Sequence, residues 1–132
     1  MKTVFVDTSG FYALLDRQDP FHSPARECFL RAWTESWQLV TTNYVVHETW
    51  AIIQARLGWD AVDDWCDHVL ALCHILWVTE QLHALGEARC RQARKRGLSL
   101  TDCISIEVMR QHRIREAIAP DEHFAHEGIS LP

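Results

Sequence analysis

Short apolar runs at residues 3–6, 38–41, 75–78 and 117–119 alternate with stretches of helical periodicity, and nothing between them has the Gly-Asn character of a hairpin turn. That order constrains the fold more than any other feature of the chain. Strands separated by helices and never joined by tight turns pair in parallel, and a parallel sheet is covered by helices. Val4-Phe5-Val6 has no polar alternation and reads as a strand buried on both faces. A weaker run at 128–131 is a candidate fifth strand.

Helical patterns cover residues 9–15 and 23–33, then 43–57, with Thr42 or Asn43 as cap and Gly58 as stop. Across 60–73, Val62, Trp65, Cys66, Val69, Leu70 and Cys73 repeat at helical spacing and give one apolar face. A further helix is expected over 81–96, stopping at Gly97, and a last long one from Thr101 or Asp102 to near His112. With 132 residues and no linker, repeat or low-complexity segment, the chain is read as a single domain, 1–132, large enough for a sizeable core.

In sheets of this kind ligands bind beyond the carboxyl ends of the strands. Asp7 stands at such an end, directly after Val6, and Asp121 follows the run 117–119. A carboxylate next to a buried strand is costly unless something pairs with it. Asp7 is either the cap of the helix that follows or part of a polar site. Glu48 has Tyr44, Val45, Ala51 and Ile52 as its neighbours three and four positions away, which puts an acid on the face that helix should bury. Asp102 can be read as an N-cap, yet Ile106 and Met109 on its side point to the core.

Two of these acids stand at strand ends and two near helix starts, and right-handed crossovers bring such positions to one rim. Four carboxylates together raise one another's pKa values unless a cation sits among them. Hard oxygen donors of this kind suit Mg²⁺ or Mn²⁺, which keep waters and accept phosphate oxygens as further ligands. Such a site can polarise a phosphodiester and activate a water. The formal charge of −5 argues against a general nucleic-acid coat protein but suits an acidic pocket that grips phosphates through metal.

"VFVDTSGFYALLD", "TTNYVVHE", "LSLTDCIS" and "AIAPDEHF" resemble, in order and spacing, the four acidic motifs of PIN-domain nucleases. Within that family the chain looks most like the VapC-like toxins of toxin–antitoxin pairs. The resemblance covers nearly the whole chain. It implies a three-layer α/β/α fold around a central, mostly parallel sheet of four to five strands. It also implies a metal-dependent endoribonuclease leaving a 5′-phosphate and a 3′-hydroxyl, with Asp7, Glu48, Asp102 and Asp121 as catalytic and metal-binding acids. Asp7 is then a metal ligand rather than a cap, and Ser9 matches a hydroxyl that hydrogen-bonds near the metal. Pro120 departs from the family pattern, since relatives carry Thr two residues before the fourth acid; proline also removes a backbone donor there. Further implied are an RNA substrate, a cognate antitoxin and a homodimer.

Other features read as structural. "RCRQARKR" (89–96) does not form one basic stripe at roughly 100° per residue, and cations also favour a helix C-terminus; RNA contact stays open there. Cys66, His68, Cys73 and His74 lack a standard zinc spacing and read as packing. His123 and His126 follow the fourth acid, close enough for His123 to touch substrate. Trp33, Trp37 and Trp59, near helix ends, are core or partner-surface material. Five cysteines without a CxxC pair suggest reduced thiols in the cytoplasm. No apolar run reaches membrane-span length and no signal-peptide layout opens the chain.

Competing readings are a phosphotransfer domain with Asp7 as nucleophile, an inert PIN-like binding or regulatory module, and a housekeeping RNA-processing nuclease. The first wants a second Asp where Ser9 stands or a later nucleophilic strand; the inert module would be signalled by a missing acid, and none is missing.

Overall fold

Val4, Phe5 and Val6 are each fully buried although successive residues of a strand point to opposite faces. Both faces of their strand are therefore covered. A computed structural model, which describes residues 1–120 and 122–132, shows how. Strand β1 (Thr3–Val6) leads into α1 (Thr8–Leu15) and α2 (His22–Thr34), and β2 (Gln38–Thr42) into α3 (Asn43–Arg56) and α4 (Trp59–Asp64). After β3 (Cys73–Leu76) come α5 (Glu80–Ala93) and α6 (Leu100–Gln111), then β4 (Ala117–Ile118) and α7 (Glu122–His126).

The sheet order is β3-β2-β1-β4. Every pairing is parallel: Phe5 lies opposite Val40 on one side and Ala117 on the other, and Thr42 lies opposite Leu76. Helices lie on both sides, which gives the expected three layers. The core draws on all of them, with Phe11, Ile53, Trp65, Ile104, Met109 and Phe124 among its largest fully buried side chains.

Several boundaries differ from expectation for identifiable reasons. The apolar run 75–78 pairs only to Leu76, because its partner strand ends at Thr42 and turns into α3. Beyond that point the Asn43 side-chain carbonyl accepts the Val78 amide at 2.7 Å, and Trp77 is exposed. The helix expected over 60–73 is α4 followed by a π-helical turn (Trp65–Val69) and a 3₁₀ turn (Leu70–Leu72). Cys73 is already the first residue of β3. The expected fifth strand is reduced to one parallel bridge, Glu116 to Ser130. Helix α5 ends at Ala93, with Arg94 in the left-handed region at φ 50°. The chain thus reverses before Gly97, and Leu98 and Leu100 pack against the core.

Candidate active site

Asp7 is 3 % exposed at the carboxyl end of β1. Its amide donates to the Ile118 carbonyl of β4 at 3.2 Å, and the Thr41 hydroxyl of β2 donates to the preceding Val6 carbonyl at 2.8 Å. Both neighbouring strands thus fix the backbone that carries this acid. Oδ2 accepts hydrogen bonds from the Ser9 amide, 3.2 Å, and the Ser9 hydroxyl, 2.8 Å. The two readings of Asp7 are not exclusive, because with this oxygen it is the N-cap of α1. Oδ1 is buried and, among the described residues, accepts no hydrogen bond. Burial and then the charge of Asp102 push the carboxyl up to about 7, against the lowering effect of the Ser9 and Thr8 donors.

Asp102 is brought to the same place by α6. The cap of that helix is Ser99, not Thr101 or Asp102: the Ser99 hydroxyl accepts the Asp102 amide at 3.0 Å, and the Asp102 carboxylate accepts the Ser99 amide at 3.1 Å. This reciprocal box fixes the acid's position, at 7 % exposure.

Glu48 is placed differently from expectation. The buried face of α3 is Val45, Thr49 and Ile53, whereas Ala51 is exposed and Glu48 half-buried. Glu48 borders the buried face rather than lying within it, and it opens onto a cleft of about 340 Å³ lined also by Asp7, Ser9 and Asp102. A hydrogen bond from the Thr49 to the Thr8 hydroxyl, 3.1 Å, ties α3 to α1 directly beneath. Asp121, the fourth expected acid, lies outside the described residues.

The cleft also takes in Tyr12, Asp19 and Arg56, none of which stood out in the sequence. Arg56 follows Glu48 and Ile52 at helical spacing, a signal that was present in the pattern. An apolar groove of about 990 Å³ adjoins at Glu48 and Ile52 and includes Trp50 and Trp77.

Among the described residues no three His, Cys, Asp or Glu side chains converge closely enough to hold an ion alone. The donors present nonetheless fit a hard divalent cation. Mg²⁺ characteristically takes one or two carboxylates and completes its shell with water and phosphate oxygens. Asp7 offers an uncommitted, buried carboxylate oxygen beside a second acid, the arrangement a cation relieves.

The remaining candidates have structural surroundings. Arg89 binds Glu107 at 2.7 Å and Glu127 at 3.3 Å, and the rest of 89–96 divides between the helix end and an exposed turn. Cys66 and Cys73 pack against the core, while His68 and His74 are exposed. His123 rests against Gly97, where an added Cβ would lie 3.2 Å from its Nε2, and His126 is exposed. Trp65 is fully buried and Trp37 nearly so, but Trp33 and Trp59 are exposed. All five cysteines are free, and no described helix is long and apolar enough to cross a membrane.

Comparison with known proteins agrees with this geometry. The PIN-domain family profile matches residues 4–128. The 23S rRNA-specific endonuclease VapC20 of Mycobacterium tuberculosis, from two strains, is 31 % identical over 128 residues, covering 96 % of this chain and 95 % of VapC20. The crystal structure of the M. tuberculosis VapC20 toxin, described as cleaving the sarcin–ricin loop, superposes with a TM-score of 0.82 at 29 % identity, over 96 % of this chain and 95 % of that one. With its strand order, its rim of acids and these matches, the chain belongs to the PIN-domain family.

Proposed function

We propose that this single domain is a metal-dependent endoribonuclease and the toxin of a toxin–antitoxin pair. One observation carries the reading: a buried carboxylate oxygen of Asp7 has no hydrogen-bond partner among the described residues, on an acid that feels the charge of Asp102 and lines the same cleft. The likeness to VapC20 over nearly all of both chains supports the toxin reading over a housekeeping nuclease or an inert module. Ribosomal RNA in the cytoplasm is the first substrate to test, and a cognate antitoxin is the expected protein partner.

Asp7 and Asp102 would hold the cation, with Glu48 at the mouth of the cleft and Asp121 as the fourth acid. Bound there, Mg²⁺ or Mn²⁺ supplies Lewis-acid polarisation of the phosphate and of the attacking water. The chain's own part is positioning. Ser9 commits Oδ2 of Asp7 to the helix cap and leaves Oδ1 without a hydrogen-bond partner among the described residues. The Ser99 box keeps Asp102 from swinging away. The half-exposure of Glu48 leaves the mouth open to a strand of RNA.

The test is cleavage of total RNA, 23S rRNA included, by purified protein with Mg²⁺ or Mn²⁺, with EDTA, and with Asp7→Asn. Discrete fragments with 5′-phosphate ends, absent with EDTA and with the variant, are expected. Folded protein, free of inhibitor, that cuts nothing with either metal would return the reading to a binding module.

A further inference from the structure

The cleft continues past the acids, along the crevice between α1 and α3, to Arg56. Its described lining carries four carboxylates, Asp7, Asp19, Glu48 and Asp102, against one cation, Arg56. A polyanion threading such a cleft is repelled wherever no positive charge covers it. A cation held by Asp7 and Asp102 would cover one phosphate and leave its neighbours facing the remaining acids.

Arg56 is built to fill that gap. Glu48, Ile52 and Arg56 lie on one face of α3, and eight residues of helix put Arg56 about 12 Å along the axis from Glu48. Helical side chains lean toward the N-terminus, here toward the acids. The guanidinium carbon sits 5.4 Å from the centre of the Tyr12 ring. That ring is held in turn by the Tyr12 hydroxyl donating to Asp16 Oδ2 at 2.8 Å. Against the raising effects of burial and Asp16, Arg56 lowers the Tyr12 hydroxyl's pKa, and a guanidinium has five donors. Arg31, Arg89, Arg91 and Arg110 each bind a glutamate. Arg56 forms no such ion pair among the described residues; other arginines share that, but Arg56 is the one cation on the described cleft lining, and it is exposed there.

We infer that Arg56 is a positioning residue that holds a phosphate flanking the scissile one, so that the RNA strand lies along the α1–α3 crevice. The inference rests on the nuclease reading. It is tested by steady-state cleavage of an oligoribonucleotide spanning the mapped cut, using wild type, Arg56→Gln, Arg56→Lys and, as control, Arg31→Gln at the opposite rim. Arg56→Gln is expected to raise KM about tenfold with kcat within about twofold, and to lower the slope of log KM against log salt by about 0.7. Arg56→Lys keeps the slope and recovers most of KM, and Arg31→Gln alters neither. An uncharged methylphosphonate at one flanking position should cost the wild type as much as Arg56→Gln does, and cost Arg56→Gln nothing further. Cleavage by wild type with an indifferent Arg56→Gln, or methylphosphonate penalties equal in both proteins at every position, overturns the positioning role alone. Wild type that cuts no RNA with either metal overturns the nuclease reading and this inference with it. If Arg56→Gln fails to fold, Arg56→Ala takes its place in the same methylphosphonate scan, with the same two outcomes deciding.

Discussion

Asp7 combines two roles that compete at most strand ends. Its Oδ2 caps a helix and stabilises the fold, whereas its buried Oδ1 has no hydrogen-bond partner among the described residues. Since the folded protein holds this proton up to about 7, against 3.8 for an ordinary Asp, the folded state binds more protons between those values. Metal-free protein should therefore lose stability as pH rises from about 4 to about 7 and lose no more above that, by on the order of 2–4 kcal/mol from this group. Melting temperatures across that range should show the loss in wild type and a flatter profile in Asp7→Asn, which keeps a capping oxygen. Mn²⁺ bound at Asp7 would displace the same proton, so its affinity, followed by calorimetry, should rise with pH up to about 7. Asp7 and Asp102 were legible in the sequence because acids beside buried strands and core residues are chemically anomalous. Glu48 was legible as an acid out of place, but its depth was not: which of two adjoining helix faces is buried depends on what packs there. Arg56 shared a helix face with Glu48, but that spacing alone did not mark it, since a helical arginine acquires its meaning only from the cleft and the Tyr12 ring that α1 sets beside it.

Gly10 shows how one element sets the site. It lies in the first turn of α1, where a Cβ would collide with the backbone carbonyl of Ile118, the same oxygen that accepts the Asp7 amide. Gly10→Ala must push α1 off β4 and Asp7 with it. A destabilisation of about 2 kcal/mol or more is expected by urea titration, with cleavage falling further than the folded fraction. The strands and most helices were legible from periodicity. The ends were not: β3 stops where β2 runs out, and the helix after α4 changes to a π-helical turn at Trp65–Val69, around a buried Trp65, with no local signal for it in the sequence.

For the whole molecule, alternation of strands and helices predicted a parallel, covered sheet, but not the order β3-β2-β1-β4. Order depends on contacts between residues far apart in sequence, and the apolar runs are too alike to specify partners. The C-terminal segment shows how far this closure reaches, with Ile114, Ala117, Ile118 and Phe124 all in the core. Phe124→Ala should cost about 3–5 kcal/mol in chemical denaturation, as a loss to the cooperative unfolding of the entire chain and not a local fraying of α7. The bond from Asp7 to Ile118 also carries a consequence for synthesis. The ribosome makes the donor long before the acceptor, so a nascent chain holds Asp7 for a time without the strand that fixes it. For an RNA-cutting PIN-domain chain, the machine that builds it is handling an unfinished blade until β4 emerges.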